Sequence, residues 1–299
     1  FNIGNVAGAG LGLNVIFGID IRMATIIAII LAISIFLYKE STKAIDKLAQ
    51  ILGGGMILLV FYVAIKTQPA MGEVMQGTFM PDNIPFLPIL TLVGGTVGGY
   101  HAFAGGHRLL EGNVVGEENM EGIDSSASIG LIVTAIIRIC VFLAAFGVIS
   151  RGAILDAGNP AATVFQEGAG NIGYKFFGIV LFSASLTSIV GATYTSISFL
   201  ATTFDKIGEK INTSSIIFIL ISGTTFLLVG KPIALMVLTG ALNGLVLPIT
   251  LGAMLLGVQK KEIIGDYKHP KWLLITGILV AVTMAFLGIQ SLGSIADLF

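Results

Sequence analysis

Charge is what this chain has least of. Of its 299 residues only 11% are Asp, Glu, Lys or Arg, where a soluble domain carries about 25%. With 55% hydrophobic residues and a mean hydropathy of +0.95, that excludes a soluble globular protein and leaves an integral membrane protein. The net charge of −1 argues against a nucleic-acid partner. A lone cysteine, Cys140, excludes an internal disulfide, and no Cys/His spacing resembles a zinc site. The chain opens on Phe1, already inside an apolar segment. It therefore reads as the remainder of a longer chain, with a leader or earlier spans expected upstream.

Carboxylates are the second shortage. Apolar segments long enough to span a bilayer, about 17–25 residues each, lie near Phe1–Ile19, Met23–Tyr38, Ala49–Ile65, Pro88–Leu110, Ile129–Ile149, Ile172–Thr202, Ser215–Val229, Ile233–Val258 and Trp272–Leu292. No Asp or Glu stands at the centre of any of them. Membrane proton relays run along Asp, Glu and His, and hard cations favour carboxylate oxygens. At depth only His101 and Arg138 are ionisable. Arg138 neutralises an anion, pairs with a carboxylate from the expected upstream part, or snorkels along a tilted helix. The amides Asn2 and Asn5 can hydrogen-bond between helices but cannot carry a proton. The acidic run from Glu111 to Asp124 reads as a solvated loop, with a cation-attracting vestibule as the alternative.

Lysine and arginine set the orientation. If the first span runs outward, Lys39, Lys43, Lys47, Arg108, Lys206, Lys210, Lys260, Lys261, Lys268 and Lys271 face one side, and Arg22, Lys66, Arg151, Lys175 and Lys231 the other. The richer side is cytoplasmic. Two connections on the outer side are long. Lys66–Phe86 is marked by Pro69, Pro81 and Pro85 and reads as a linker. In Ser150–Gly170, Asn159 can cap and Pro160 start a short surface helix.

What the chain has in abundance is glycine, 39 residues, and the pattern is densest in LVGGTVGGYHAFAGGHRLL, Leu92–Leu110. Each glycine costs a helix interior about 0.8–1 kcal/mol relative to alanine. Six of them beside Tyr100 and His101 predict two half-helices meeting near Gly98–Tyr100. Interrupted spans are how many transporters build a midplane site. Close packing of small residues is the competing explanation for Gly94/Gly98 and Gly95/Gly99. Gly4, Gly8 and Gly12 form a similar stripe in the first span. Asn243 and Pro248 make Ile233–Val258 a second candidate wall.

Taken in order, these stretches resemble the NRAMP family of divalent-metal transporters. GAGLGLNVIFGID (Gly8–Asp20) is similar to the family's third span and the turn ending it, and LVGGTVGGYHAF (Leu92–Phe103) to its broken sixth. VLTGALNGLVLP (Val237–Pro248) resembles the tenth, and IIGDYKHPKWL (Ile263–Leu273) the connection into the eleventh. The resemblance implies an all-α, inverted-repeat (5+5) amino-acid-transporter-like fold, here one domain over 1–299 with about nine spans, beginning at helix three. It further implies that Gly98-Gly99-Tyr100 replace the family's Met-Pro-His, with His101 one residue late, and that the metal-binding carbonyl falls at Gly95. The third-helix acids become Asn2 and Asn5. The tenth-helix glutamines fall at Gly240 and Val246, leaving Asn243 nearby. The basic residues entering helix nine give way to Asn212–Ser215.

The expected function is therefore secondary transport, not enzymatic catalysis. A divalent metal, magnesium or manganese, would be the cargo and no cofactor would be resident. Gly95, Gly98, Gly99, Tyr100, His101 and Asn243 would meet the substrate, Gly95 and His101 would meet the metal, and Asn2, Asn5 and Arg138 would pack helices or line the path. Proton coupling would be weak or absent. The setting would be a lipid bilayer, as a multi-pass protein of a bacterial inner membrane. A small organic solute as cargo, or a non-transporting membrane subunit, stays open as the alternative.

Overall fold

The structure, a computed structural model, describes residues 1–37, 42–97 and 99–298, and their side chains apart from those of residues 42–46, 48–49, 99–103 and 117. Thirteen helices follow in order: α1 (Asn2–Phe17), α2 (Ile21–Leu37), α3 (Thr42–Thr67), α4 (Met71–Phe79), α5 (Phe86–Gly94), α6 (Gly99–Glu111), α7 (Met120–Ile149), α8 (Pro160–Ala201), α9 (Asp205–Glu209), α10 (Ile211–Val229), α11 (Pro232–Gly257), α12 (Lys261–Ile264) and α13 (Lys271–Ala296). No strand occurs among the described residues. That outcome follows from the solvent: in hydrocarbon a helix satisfies its own backbone, and an open sheet does not.

Among the described residues, six helices are long and apolar enough to cross a bilayer: Gln50–Thr67 within α3, then α7, α8, α10, α11 and α13. Helices α1 and α2, 16 and 17 residues long, meet at a 115° bend. Residues 18–20 make that bend. Gly18 adopts φ +70°, a left-handed conformation natural to glycine, and its N–H closes on the Asn14 carbonyl at 2.7 Å. Two residues on, the Asp20 carboxylate accepts from the N–H groups of Arg22 (2.9 Å) and Met23 (3.3 Å), capping α2.

The chain forms two compact units, one of Asn2–Asp82 with Val114–Ile233, the other of Asn83–Asn113 with Ala234–Phe299. In the first, α1 lies antiparallel against α8. A Cβ at Gly12 would overlap the Phe182 backbone, one at Gly178 would strike Val15, and one at Gly10 would strike Thr25 of α2. The stripe of small residues is thus a packing face. Lys175 closes the C-terminal end of α1, donating to the carbonyls of Val15 and Ile16 at 2.8 Å each, where the helix dipole is negative. Behind it, Val60, Val63, Ala144, Val148, Phe165 and Phe177 form a core of α3, α7 and α8.

The outer connections carry more structure than their prolines suggest. Lys66–Phe86, expected to be a linker, holds α4, which begins two residues after Pro69 and ends two before Pro81. Asn159 does cap α8, its Oδ1 accepting from Ala162 N–H at 3.2 Å, with Pro160 in the first turn. Gly170 (φ +67°, ψ −162°) then breaks α8, setting the surface segment apart from the transmembrane part.

In the second unit α5 packs on α11 and α13 through Leu90, Ala241, Leu247, Met284 and Leu287, and Phe86 meets Phe286 edge-on at 6.0 Å. At the end of α5 the contact becomes backbone on backbone: a Cβ on Gly94 would fall on the Gly240 carbonyl and the Gly244 amide. We expect Gly94→Ala to cost at least about 2 kcal/mol, since neither neighbour can move aside. Gly105→Ala, with open space around it, should be neutral or stabilising by up to about 1 kcal/mol. Thermal unfolding of the purified protein in detergent separates the two, and equal melting temperatures would contradict this packing.

Candidate functional site

The interrupted span is interrupted. Helix α5 stops at Gly94 and α6 starts at Gly99, with turns between. The break therefore falls before the expected meeting point at Gly98–Tyr100. The first glycine pair, not the second, ends the helix, because Gly94 is where α5 runs against α11. Gly98 lies outside the described residues. Gly99, Tyr100 and His101 belong to the first turn of α6, and the Tyr100 and His101 side chains lie outside the described residues.

A helix end leaves four carbonyls without partners of their own, and where the end is buried each must be met. The end of α5 accounts for all four. Thr91 accepts from Gly95 N–H at 2.8 Å, and Val93 from the N–H groups of Thr96 (3.0 Å) and Val97 (2.9 Å). Leu92 accepts from the Thr96 hydroxyl. Gly94 accepts from Asn243 Nδ2 at 2.8 Å, a bond reaching from α11. Asn243 is buried, 8% exposed. The structure thus brings Asn243 to the break beside Gly95, bracing a helix end. Thr91 and Thr96 were not singled out from the sequence. A threonine one residue after a glycine pair is a weak signal of a helix end. Thr91 Oγ1 is buried without a partner among the described residues.

The other expected path residues lie in the first unit. Asn2, 4% exposed, donates Nδ2 to Thr193 Oγ1 (3.2 Å) and Ser222 Oγ (3.3 Å), tying α1 to α8 and α10. Ser222 gives its own proton to the Phe218 carbonyl (2.9 Å), so it meets Asn2 as an acceptor. Asn2 Oδ1, Asn5 Nδ2 and Ser215 Oγ are buried without partners among the described residues. Arg138 is half-buried near the middle of α7, with no hydrogen bond or ion pair among them. Nor do the described residues hold a group of three His, Cys, Asp or Glu side chains able to grip a metal ion.

Comparison with known proteins bears on this arrangement directly. A family model described as "Natural resistance-associated macrophage protein-like" (Nramp) matches residues 1–294. The chain belongs to the Nramp family. Two relatives are close. One, from Bacillus subtilis (strain 168), is named "Uncharacterized membrane protein YcsG"; it is 49% identical over 292 residues, covering 98% of this chain and 72% of that protein. The other, from Haemophilus influenzae, is named "Uncharacterized membrane protein"; it is 47% identical over 287 residues, covering 96% and 72%. Nramp membership indicates a multi-pass membrane transporter of divalent metals, embedded in lipid. The all-α architecture agrees with it.

The clasp at the break gives a direct test. Asn243→Ala should destabilise the protein by about 1–3 kcal/mol, the usual cost of stranding a buried carbonyl. Asn243→Asp, which places an oxygen where the donor stood, should do no better. Unchanged melting of either variant would contradict a bracing role.

Proposed function

We propose that this Nramp chain carries a divalent cation through the break between α5 and α6, with hard-ion selectivity and little or no proton coupling. The observation that supports it is the way α5 ends. Its last four carbonyls are met by its own turn and by Asn243, so the Gly95 carbonyl is the next backbone oxygen along the chain. With His101, Tyr100 and the Asn243 amide it offers oxygen and imidazole. Gly98 and Gly99 bring no side chain, and no sulfur stands at these positions. Thioethers select softer ions and oxygen ligands suit magnesium and manganese, which makes these two the proposed cargo. Uptake into proteoliposomes holding the full-length protein should favour manganese or magnesium over cadmium. A strong cadmium preference that survives His101→Ala would overturn this selectivity.

Weak coupling is argued from Asn2 and Asn5. Amides do not change charge, and Asn2 is engaged with two hydroxyls. His101 alone is one station and not a relay. A pH-sensitive dye inside the same proteoliposomes should therefore register little acidification as metal enters. Acidification abolished by His101→Ala would instead make that histidine the proton carrier.

A second reading, transport of a small organic anion, is favoured by Arg138. An uncompensated guanidinium repels a divalent cation and attracts an anion. Arg138→Gln should leave metal uptake intact or raise it if the first reading holds. Loss of all transport in that variant, with folding preserved, would favour the anion.

A further inference from the structure

We propose that the 258–270 connector, between α11 and α13, binds the headgroup of an anionic phospholipid. The proposal does not depend on what crosses at the α5–α6 break. Both flanking helices are long and apolar enough to cross a bilayer. The residues joining them therefore lie outside the hydrocarbon, where lipid headgroups are the nearest partner. Charge is confined to this join. From Pro232 to Phe299 every charged residue but Asp297 falls between Lys260 and Lys271. Four of them are lysines, set against Glu262 and Asp266, in a chain whose net charge is −1.

The fold then takes one acid out of play. Gly265 turns the chain at φ +59°, its N–H meeting the Lys261 carbonyl at 2.9 Å. Tyr267 N–H closes the same turn on the Ile264 carbonyl at 3.2 Å. Asp266 is thereby set back against Lys261, its Oδ1 3.3 Å from Nζ. Lys260, Lys268 and Lys271 are exposed and have no ion pair among the described residues. Glu262 is the one acid of the segment left to balance them.

Apolar groups accompany the lysines. Trp272 is 66% exposed and Ile263 67%. A tryptophan at the head of a membrane span belongs at headgroup level, which puts the neighbouring Lys271 among the phosphates. An anionic lipid offers phosphate to the ammonium groups and acyl chain to the indole and Ile263 together. A soluble anion offers only the first, and a zwitterionic headgroup brings a cation that the lysines repel. Lysines that only set topology would show no preference among lipids, and the experiment separates the two roles.

Trp272 is the one tryptophan of these 299 residues and stands beside the lysines, so it reports directly. The full-length protein, with any further tryptophan changed to phenylalanine, is placed in bilayers of phosphatidylcholine with a rising share of phosphatidylglycerol. Bromine on the acyl chains of one lipid or the other quenches the indole in proportion to that lipid's occupancy beside it. Phosphatidylglycerol should be favoured at Trp272 by about fivefold or more, the gain expected of a single lysine near an anionic surface. The preference should fall toward equality in about 1 M sodium chloride, where the screening length is about 3 Å. Lys260→Gln/Lys268→Gln/Lys271→Gln should bring the same loss at low salt, with little change in melting temperature. Lys206→Gln/Lys210→Gln, which removes two lysines beside Asp205 and Glu209 in the first unit, should leave the preference intact. The proposal is overturned if the unaltered protein shows no preference for phosphatidylglycerol, if the triple variant keeps it, or if the control pair loses it equally. Should the triple variant fold poorly, the unaltered protein decides: a preference that persists in high salt overturns the proposal as well.

Discussion

A backbone carbonyl in hydrocarbon has no water to turn to, and that constraint shapes the second unit. Where α5 ends, its last carbonyls find donors within the protein. The chain meets three of them locally and the fourth from α11, through Asn243. That solution demands close approach, since a side-chain amide on α11 must reach a backbone oxygen on α5. The approach in turn demands Gly94, Gly240 and Gly244, where the two backbones touch. Glycine density, helix termination and the buried asparagine are one arrangement seen from three positions. The explanation that sets close packing against a functional break poses a false choice here, because Gly94 does both.

The first unit meets the same constraint with whole helices. Its interior polar groups include hydroxyls that bond back to the preceding turn of their own helix, as Thr25, Thr67 and Ser222 do. Asn2 is the exception that reaches across, joining three helices at one point. Membership of the Nramp family fixes the frame around it, and the particular residues depart from the pattern that the resemblance implies.

Much of the architecture was legible because membrane helices advertise themselves by length and hydropathy. The turn at Gly18–Asp20 and the cap at Asn159 were legible because each depends on a residue whose local chemistry allows little else. The position of the break was less so. Glycine counts mark weak helix, but where it yields is decided by the α11 backbone, more than a hundred residues away in sequence. The role of Asn243 was hidden for the same reason: its partner is a carbonyl, and carbonyls leave no trace in a sequence. Helix α4 was missed because the prolines that looked like linker punctuation are the brackets of a short helix. The side chains of Tyr100 and His101, on which the metal site was built, lie outside the described residues and remain part of the proposal.

The Lys175 ammonium rests on two carbonyls in the last turn of α1, those of Val15 and Ile16. The bond spans about 160 residues of chain and fastens the outer end of one helix to the flank of another. With Asn2 pinned to α8 and α10 at the inner end, α1 is held at both extremities. It cannot tilt or slide during a transport cycle without taking α8 along. A spectroscopic label on α1 would thus report the motion of α8 as well, and the freedom needed for alternating access has to be sought in helices lacking such a fastening.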